Sequence, residues 1–147
     1  MAASAWRIYN EAKKYLLTGD IDLNTSVISM KIVKGTQAAT VSDYTRSSFT
    51  NSTGTAVLGN PAVVTLTGVA VTTVGSAKQI MFDSTACVFT ASGGTVTSCQ
   101  YAVIGVSGGK ALAWCKLSTA AFDVASGNTL TVTPSATGYF TLTGGTT

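Results

Sequence analysis

The sequence predicts a mainly β fold: an antiparallel β-sandwich or jelly-roll-like domain with one N-terminal α-helix. After Gly19 the chain is rich in Thr and Val, which favour extended backbone. Short apolar segments also recur there about every 8–12 residues, separated by turn residues, which is typical of an antiparallel sandwich or barrel. The 147 residues are expected to form a single domain, since a chain of this length can bury one core without disulfides or metals.

The helix is predicted over Ala5–Leu17, where apolar residues recur at three- to four-residue spacing. Ser4 precedes this segment as a candidate N-cap, and Gly19 suits the left-handed position after a helix. Residues 1–18 are therefore expected to form an N-terminal helix or arm. Its aromatic face packs on the sheet of the same chain or docks on a neighbouring subunit, and the sequence leaves both open. The residues that define this face are Trp6, Tyr9 and Leu16.

The strands of the sandwich core are predicted mainly within residues 62–147. Before them, Ile28, Met30 and Ile32 alternate with Ser29, Lys31 and Val33, which is typical of a half-buried strand. Residues 35–61 are rich in Thr, Ser, Asn and Gly and are predicted to form a long loop or arm. The later strands are predicted at Val63–Val74 (broken at Gly68), Ile80–Phe82, Cys87–Phe89, Val96–Val106, Ala111–Leu117, Leu130–Val132 and Tyr139–Leu142.

Two of these strands, Val96–Val106 and Ala111–Leu117, are apolar on both faces. Such strands are typical of the centre of a sheet that is covered on both sides. The four residues between them, Ser107–Lys110, contain two glycines and predict a tight hairpin.

Charged residues are scarce: nine Lys or Arg, six Asp or Glu and no His give a net charge of +3. Without histidine, Ser–His–Asp and Cys–His nucleophilic sites are excluded, and so are the usual imidazole ligands of zinc. No basic cluster favours nucleic acid, and no apolar run of about 18 residues predicts a membrane helix. We therefore predict no enzyme, no cofactor, no metal site, no specific nucleic-acid partner and no membrane partner.

The cysteines and two nearby aspartates are the remaining candidates for chemistry. Cys87, Cys99 and Cys115 are an odd number without a C-x-x-C pair, so we expect three reduced thiols, with one disulfide and a leftover thiol as the alternative. Asp20 and Asp22 could form a carboxylate pair on one strand face. Because Asp is common in turns and caps, we favour a structural role for both.

The uncharged outer faces of the strands are the main indication of function. The chain has 25 threonines, which recur in strand after strand and can pair through their hydroxyls. Such faces make contacts without the cost of burying Lys or Glu, and sparse charge gives little repulsion against association. We interpret the chain as a protein whose surfaces are covered by other subunits.

Six segments together carry a resemblance to a known group of proteins. They are Trp6–Lys13, Leu17–Leu23, Ser29–Val33, Ala102–Ile104, Ala111–Trp114 and Thr131–Leu142. In this order they resemble small β-sandwich structural proteins of tailed bacteriophage virions, as a pattern that covers most of the chain. Residues 40–60 depart from it because they lack a Gly- and Tyr-rich segment. The resemblance implies a protein that coats or cements the capsid lattice, or lies in the neck or tail, without catalytic residues.

We therefore predict a non-enzymatic capsid decoration (cement) protein of the virion, assembled in the host cytoplasm since the N-terminus lacks a signal-peptide pattern. Its expected partners are the major capsid protein and copies of itself. The helix, residues 35–60 and nearby cations are expected to make the contacts, with the cations meeting an acidic capsid surface. The candidate partner-binding residues are Trp6, Arg7, Tyr9, Lys13, Lys14, Tyr15, Lys31, Lys34, Tyr44, Arg46 and Phe49.

Two alternatives stay open. A head–tail connector or tail structural protein would share the structural role, and the number of copies per particle distinguishes it from a decoration protein. A receptor- or carbohydrate-binding module would need an exposed aromatic platform, for which Tyr44, Phe49 and Phe122 are candidates. Trp114 lies in an apolar run and is expected in the core.

Overall fold

The computed structural model describes residues 4–37, 63–74, 79–107 and 109–143. The fold is mainly β and β-sandwich-like, with antiparallel sheets and one α-helix, as the sequence predicts. The helix, α1, spans Asn10–Leu17, and a short 3-10 helix spans Gly35–Gln37. The strands are β1 (Arg7–Ile8), β2 (Ile28–Lys34), β3 (Val63–Thr65), β4 (Ala70–Val74), β5 (Gln79–Asp83), β6 (Cys87–Thr90), β7 (Val96–Val106), β8 (Ala111–Lys116), β9 (Phe122–Val124), β10 (Thr129–Val132) and β11 (Phe140–Thr143).

A six-stranded sheet contains most of the buried residues. Its strand order is β1-β8-β7-β2-β3, and β9 pairs with the part of β7 that precedes the β8 pairing. Both faces of β7 and β8 are buried, so their predicted place at the centre of a sheet is confirmed. The prediction of a half-buried β2 is wrong, because Ser29 and Lys31 are 1% and 4% exposed and the apolar residues between them are buried too.

Two smaller sheets complete the fold, with strand orders β11-β5-β4 and β10-β6. They lie beside one face of the large sheet, since Ile8 and Phe140 line one cleft and Cys115 and Val132 line another. The inward residues of all three sheets belong to one buried cluster. Its largest fully buried side chains are Tyr9, Tyr139, Phe82, Phe89, Ile28, Met30, Ile32, Ile104, Leu112 and Val33.

The N-terminal segment differs from the predicted helix over Ala5–Leu17. The helix begins only at Asn10, because the residues before it pair with β8 and are held extended. The backbone N–H of Ser4 donates to the carbonyl of Lys116 at 2.7 Å, and the Ser4 hydroxyl accepts from the Lys116 N–H at 2.9 Å. Ser4 therefore connects the chain to the edge of the sheet and is not an N-cap.

The helix ends as predicted. Thr18 occupies the C-cap position, and Gly19 follows with φ of +74°, a backbone conformation that glycine adopts without strain. The break at Gly68 is also confirmed: β3 joins the large sheet and β4 joins a small one. Of the predicted 35–61 loop, the 3-10 helix is described and residues 38–61 lie outside the described ranges.

The hairpin between β7 and β8 is confirmed by its hydrogen bonds. The N–H of Val106 donates to the carbonyl of Lys110 at 2.8 Å, and the N–H of Gly109 donates to the carbonyl of Val106 at 2.9 Å. The strand β9 was not predicted. It is three residues long and contains Asp123, whose carboxylate accepts from the N–H of Ser98 at 2.9 Å.

Candidate interaction surfaces

The predicted contact residues of the N-terminal region occupy different environments. Lys13 and Lys14 are exposed on α1, and Tyr15 is half-buried on the same helix. Trp6 is half-buried, with its ring centroid 4.8 Å from that of Tyr139 in an edge-to-face arrangement. This packing places Trp6 partly inside the chain's own fold and leaves part of its ring at the surface.

Tyr9 belongs to the core and not to the contact surface. Its side chain is 0% exposed, and its backbone N–H donates to the carbonyl of Leu112 at 3.0 Å. This bond fixes Tyr9 to β8. Because the Tyr9 ring is fully buried, it cannot contact a partner. Of the two alternatives for the aromatic face, packing within the same chain is the one that Tyr9 and the Trp6–Tyr139 contact follow.

The other predicted contact residues are divided between the large sheet and the undescribed part of the chain. Arg7 is exposed on β1, while Lys34 is half-buried at the end of β2. Lys31 is buried inside the same strand. Tyr44, Arg46 and Phe49 lie outside the described residues.

The structure places two of the predicted cations in one row across the large sheet. Arg7 pairs with Trp114, Trp114 with Val103, and Val103 with Lys31. Directly opposed residues of antiparallel strands share a face, so Arg7 and Lys31 lie on the same side of the sheet. This juxtaposition could not be predicted from the sequence, because it depends on the register of four strands.

Aromatic rings lie between the cations of this face. The Arg7 guanidinium carbon is 5.8 Å from the centroid of the Trp114 ring, and the Lys116 ammonium is 6.0 Å from that of Tyr101. The two rings are 6.1 Å apart. Cations over ring faces are attracted by the ring quadrupole. With Lys31, this cation–aromatic face concentrates positive charge. Its rim, formed by the exposed Arg7 and the half-buried Lys116, suits an acidic partner. Lys116 was not among the predicted contacts.

Trp114 itself is buried, as predicted, but its indole N–H is not satisfied. The side chain is 7% exposed, and Nε1 has no hydrogen-bond partner. A buried donor without an acceptor costs about 1–3 kcal/mol. The ring is kept there by packing against Tyr101 and by the Arg7 cation above it.

An open groove of about 460 Å³ lies between the end of α1 and the small sheet β11-β5-β4. Ile80 and Leu142 pair across strands on one side of it and are 46% and 41% exposed. Leu16 lines the opposite side, and the neighbouring Leu17 is 88% exposed. Grouped exposed aliphatic side chains mark interaction sites on soluble proteins. The groove is lined by Leu16, Gly19, Ile21, Asp22, Leu23, Asn24, Val71, Ile80 and Leu142.

The chain next to this groove is held by two aspartates. Asp22 accepts from the N–H of Asn24 and the hydroxyl of Thr25, both at 2.9 Å, and these bonds lower the pKa of its carboxyl. The Thr18 hydroxyl donates to Asp20 at 2.8 Å, which with nearby Lys110 lowers the pKa of Asp20. Both aspartates therefore stabilise the turn after α1, and the expected structural role is confirmed.

Lys110 links the β7–β8 hairpin to the same turn. Its ammonium is 3.5 Å from the Asp20 carboxylate and 4.3 Å from the centroid of the Tyr15 ring. The Asp20–Lys110 contact is an exposed ion pair, which contributes little to stability. Its effect is positional, because it fixes the turn against the hairpin.

A second cleft, of about 300 Å³, is lined by two half-buried aromatic residues, Trp6 and Phe122. Thr131 and Thr133 add backbone and hydroxyl groups to its wall. Aromatic rings beside hydroxyl groups suit a sugar ring, which stacks through its apolar face and donates through its edge.

The three cysteines are free and buried, which confirms the expectation of reduced thiols. Burial raises the pKa of Cys115 from 9.0 to about 12 and raises the pKa of Cys87 and Cys99 as well. Within the described ranges, no group of three or more His, Cys, Asp or Glu side chains is placed to hold a metal ion. The described helical residues include no segment with the length and apolar character needed to cross a bilayer.

Leu17, Ile80 and Leu142 are exposed apolar residues that were not among the predicted contacts. Their alternation with other apolar residues identifies a helix and two strands, but it does not show where the core ends along each element. All three lie outside the buried cluster, which along β5 and β11 includes Phe82 and Phe140 but not Ile80 and Leu142. Comparisons with known proteins find no matching family model, no matching curated protein and no matching solved structure.

Proposed function

We propose that this chain is a non-enzymatic structural protein of a tailed-phage virion that decorates the head and binds the major capsid protein. The observation that carries the proposal is the open aliphatic groove beside α1, where Ile80 and Leu142 are 46% and 41% exposed. A groove of this kind is what a binding surface requires and what an isolated protein tends to avoid.

The charge distribution supports an acidic partner. Lys13 and Lys14 are exposed on α1, the helix that forms one wall of the groove. Arg7 and Lys116 form a second positive rim on the large sheet. Complementary charge orients a protein as it approaches a surface, while buried apolar area supplies the affinity. The phage and capsid part of the proposal rests on the resemblance of the six sequence segments.

A protein that binds a lattice needs less interface area at each contact than a protein that binds a single partner. A stable interface of standard size buries about 1,600 Å² in total. Copies held on a repeating surface gain from neighbouring contacts, so smaller individual interfaces suffice. A groove together with a cationic rim provides two such contacts on one small protein.

The test is binding of purified protein to capsids that lack it, measured by co-sedimentation. Ile80→Asp places a charge in the groove and is expected to weaken binding at least about tenfold. Val88→Asp is the matched control, because Val88 is 50% exposed on β6, in another sheet. Equal binding by both variants contradicts the groove as the contact.

Deletion of residues 1–18 is a poor test of the same contact. It removes β1, which pairs with β8, and Tyr9, which is fully buried. Loss of binding by such a deletion would report unfolding as readily as a lost interface. Point variants on the exposed face of α1, such as Lys13→Glu with Lys14→Glu, leave the core unchanged.

Copy number separates decoration from the rival structural role. Hundreds of copies per particle, measured by quantitative gel analysis, are expected for a protein that covers the head lattice. Six or twelve copies would identify a connector or tail component, because these parts follow ring symmetry. That result would replace the head location and keep the structural role.

Carbohydrate binding is a second candidate, favoured by the cleft between Trp6 and Phe122. A sugar stacked there is expected to change the fluorescence of Trp6. The measurement is a glycan array followed by fluorescence titration of each hit. Phe122→Ala is expected to abolish the response, with Leu17→Ala as the control, because Leu17 is exposed on α1 and does not line this cleft. An array without hits removes this candidate.

A further inference from the structure

The strand β4 is an edge strand without the usual protection against pairing. It spans Ala70–Val74, lies at the end of the β11-β5-β4 sheet, and pairs only with β5 among the described strands. Val71, Thr72, Thr73 and Val74 are all exposed. Natural edge strands are blocked by charges, prolines, bulges or short length. Ala-Val-Thr-Thr-Val contains no charge and no proline, and its five residues pair with β5 in unbroken register.

The other described edges are less available. β1 is two residues long and carries Arg7, and β3 is three residues long. β11 follows Tyr139, whose ring packs against Trp6, and a cleft lined by Ala5, Trp6 and Ile8 runs along the strand. β10 has four residues and ends in the buried Val132. The longest exposed edge of the described sheets is therefore β4.

We propose that β4 pairs antiparallel with β4 of a second copy of this chain, which joins two three-stranded sheets into one of six strands. A two-fold axis through Thr72 would place that residue opposite its own copy and Val71 opposite Thr73. Identical strands meet in this arrangement, so any charge on β4 would face or neighbour a like charge. The absence of charge from Ala70–Val74 makes the strand complementary to itself.

The contacts of this dimer follow from strand geometry. Five paired residues exchange about four to six backbone hydrogen bonds, depending on which N–H groups point outward. The two Thr72 hydroxyls lie within reach of each other, as cross-strand Thr pairs do. Val71 lines the aliphatic groove, so the second copy also brings a valine to the rim of that groove. Asp83, the one charged residue of the described strands of this sheet, is on β5, away from the axis.

The first test is the mass of the isolated protein by sedimentation equilibrium at concentrations up to about 1 mM. The wild-type chain is expected to approach twice 14.9 kDa as concentration rises. Thr72→Lys places two ammonium groups across the axis and is expected to raise the dimer dissociation constant about fivefold or more. Thr141→Lys, an exposed threonine of β11 in the same sheet, is the matched control and is expected to behave as wild type.

The second test is cross-linking. Opposed residues in an antiparallel pair have Cα atoms about 4.5–5.5 Å apart, within the range that a disulfide spans. Thr72→Cys is expected to give a covalent dimer under mild oxidation, seen on a non-reducing gel, while Thr141→Cys is not. The native thiols do not interfere, because all three are buried.

Three results overturn the inference: a wild-type chain that stays monomeric to about 1 mM, equal weakening by Thr72→Lys and Thr141→Lys, or equal cross-linking by both cysteine variants. The inference goes beyond the proposed function, because it concerns the isolated protein. A Thr72→Lys monomer that still binds capsids leaves the proposed function standing, and a dimer that binds no particle leaves the inference standing.

Discussion

At the scale of single residues, Trp114 and Lys31 show how the large sheet accommodates polar groups. Both are less than 10% exposed and lie in one cross-strand row with Arg7 and Val103. The Arg7 guanidinium lies over the Trp114 ring. The ring therefore contacts a cation as well as packing against its neighbours. This arrangement lowers stability at one atom, because the indole N–H of Trp114 is buried without an acceptor.

The orphaned N–H leads to a prediction for Trp114→Phe. The substitution loses some buried area but also removes the unsatisfied donor, whose burial costs about 1–3 kcal/mol. We expect the free energy of unfolding to change by less than about 1 kcal/mol. Trp114→Ala, the comparison variant, keeps neither the area nor the packing and is expected to lose about 3–5 kcal/mol. Urea unfolding followed by circular dichroism measures both. A Phe variant as unstable as the Ala variant would show that the indole N–H is satisfied in solution.

At the scale of elements, the N-terminal segment has a structural and an external part. Its first half pairs with β8 and buries Tyr9, whereas its second half, α1, carries Lys13, Lys14 and Leu17 at the surface. The short helix buries only Ala12 fully. The division explains how one segment can both close the domain and present a surface.

This division predicts that two substitutions eight residues apart differ strongly in their effect on the free energy of unfolding. Tyr9→Ala removes a fully buried ring and is expected to lower the free energy of unfolding by about 3–5 kcal/mol. Leu17→Ala removes a side chain that is 88% exposed and is expected to change it by less than about 0.5 kcal/mol. Thermal or urea unfolding of the two variants checks this. A stable Tyr9→Ala protein would return Tyr9 to the contact surface.

The sequence predicts the central strands well for a physical reason. β7 and β8 are apolar on both faces and joined by a Gly-Gly turn, so composition alone identifies them as central strands joined by a hairpin. The residue at which α1 begins could not be predicted from the sequence, because a three-residue spacing of Trp6 and Tyr9 fits a helix as well as a strand followed by a helix. The deciding interaction is the pairing of Arg7 with Trp114, which no local pattern contains.

The candidate surfaces were predictable only in part. Exposed cations on α1 follow from their place on the polar side of a short helix. The groove depends instead on how far β5 and β11 extend past the core, and the cation–aromatic face depends on strand register. The alternation of polar with apolar residues in β2 predicts that Ser29 and Lys31 face solvent. In the structure the whole of that face of β2 is covered.

At the scale of the whole molecule, three buried thiols and the buried Tyr139 hydroxyl make the free energy of unfolding depend on pH in the alkaline range. Burial raises the pKa of all three thiols, to about 12 for Cys115, and raises the pKa of Tyr139 above its ordinary value of 10.0. The unfolded chain loses these protons at lower pH than the folded chain. Stability from this source is therefore complete below the ordinary thiol pKa of 9.0 and falls as the pH rises toward 12.

We expect the free energy of unfolding to fall between pH 9 and 11, by about 1.4 kcal/mol per pH unit from Cys115 alone. Urea unfolding in the presence of a reductant, at pH 8 to 11, measures the slope. Cys115→Ala is expected to be less stable at pH 8 but to show a shallower slope. An unchanged slope in this variant would mean that the Cys115 thiol ionises in the folded protein.

The hydrogen bonds between Ser4 and Lys116 also have a consequence for folding during synthesis on the ribosome. The two residues are 112 positions apart in the chain, so β1 cannot pair until the ribosome has synthesised β8. Contacts this distant form slowly, and unpaired apolar segments attract chaperones meanwhile. Trp6 and Tyr9 thus remain open to cellular quality control through most of translation, and mutations there are expected to act on yield before they act on the finished protein.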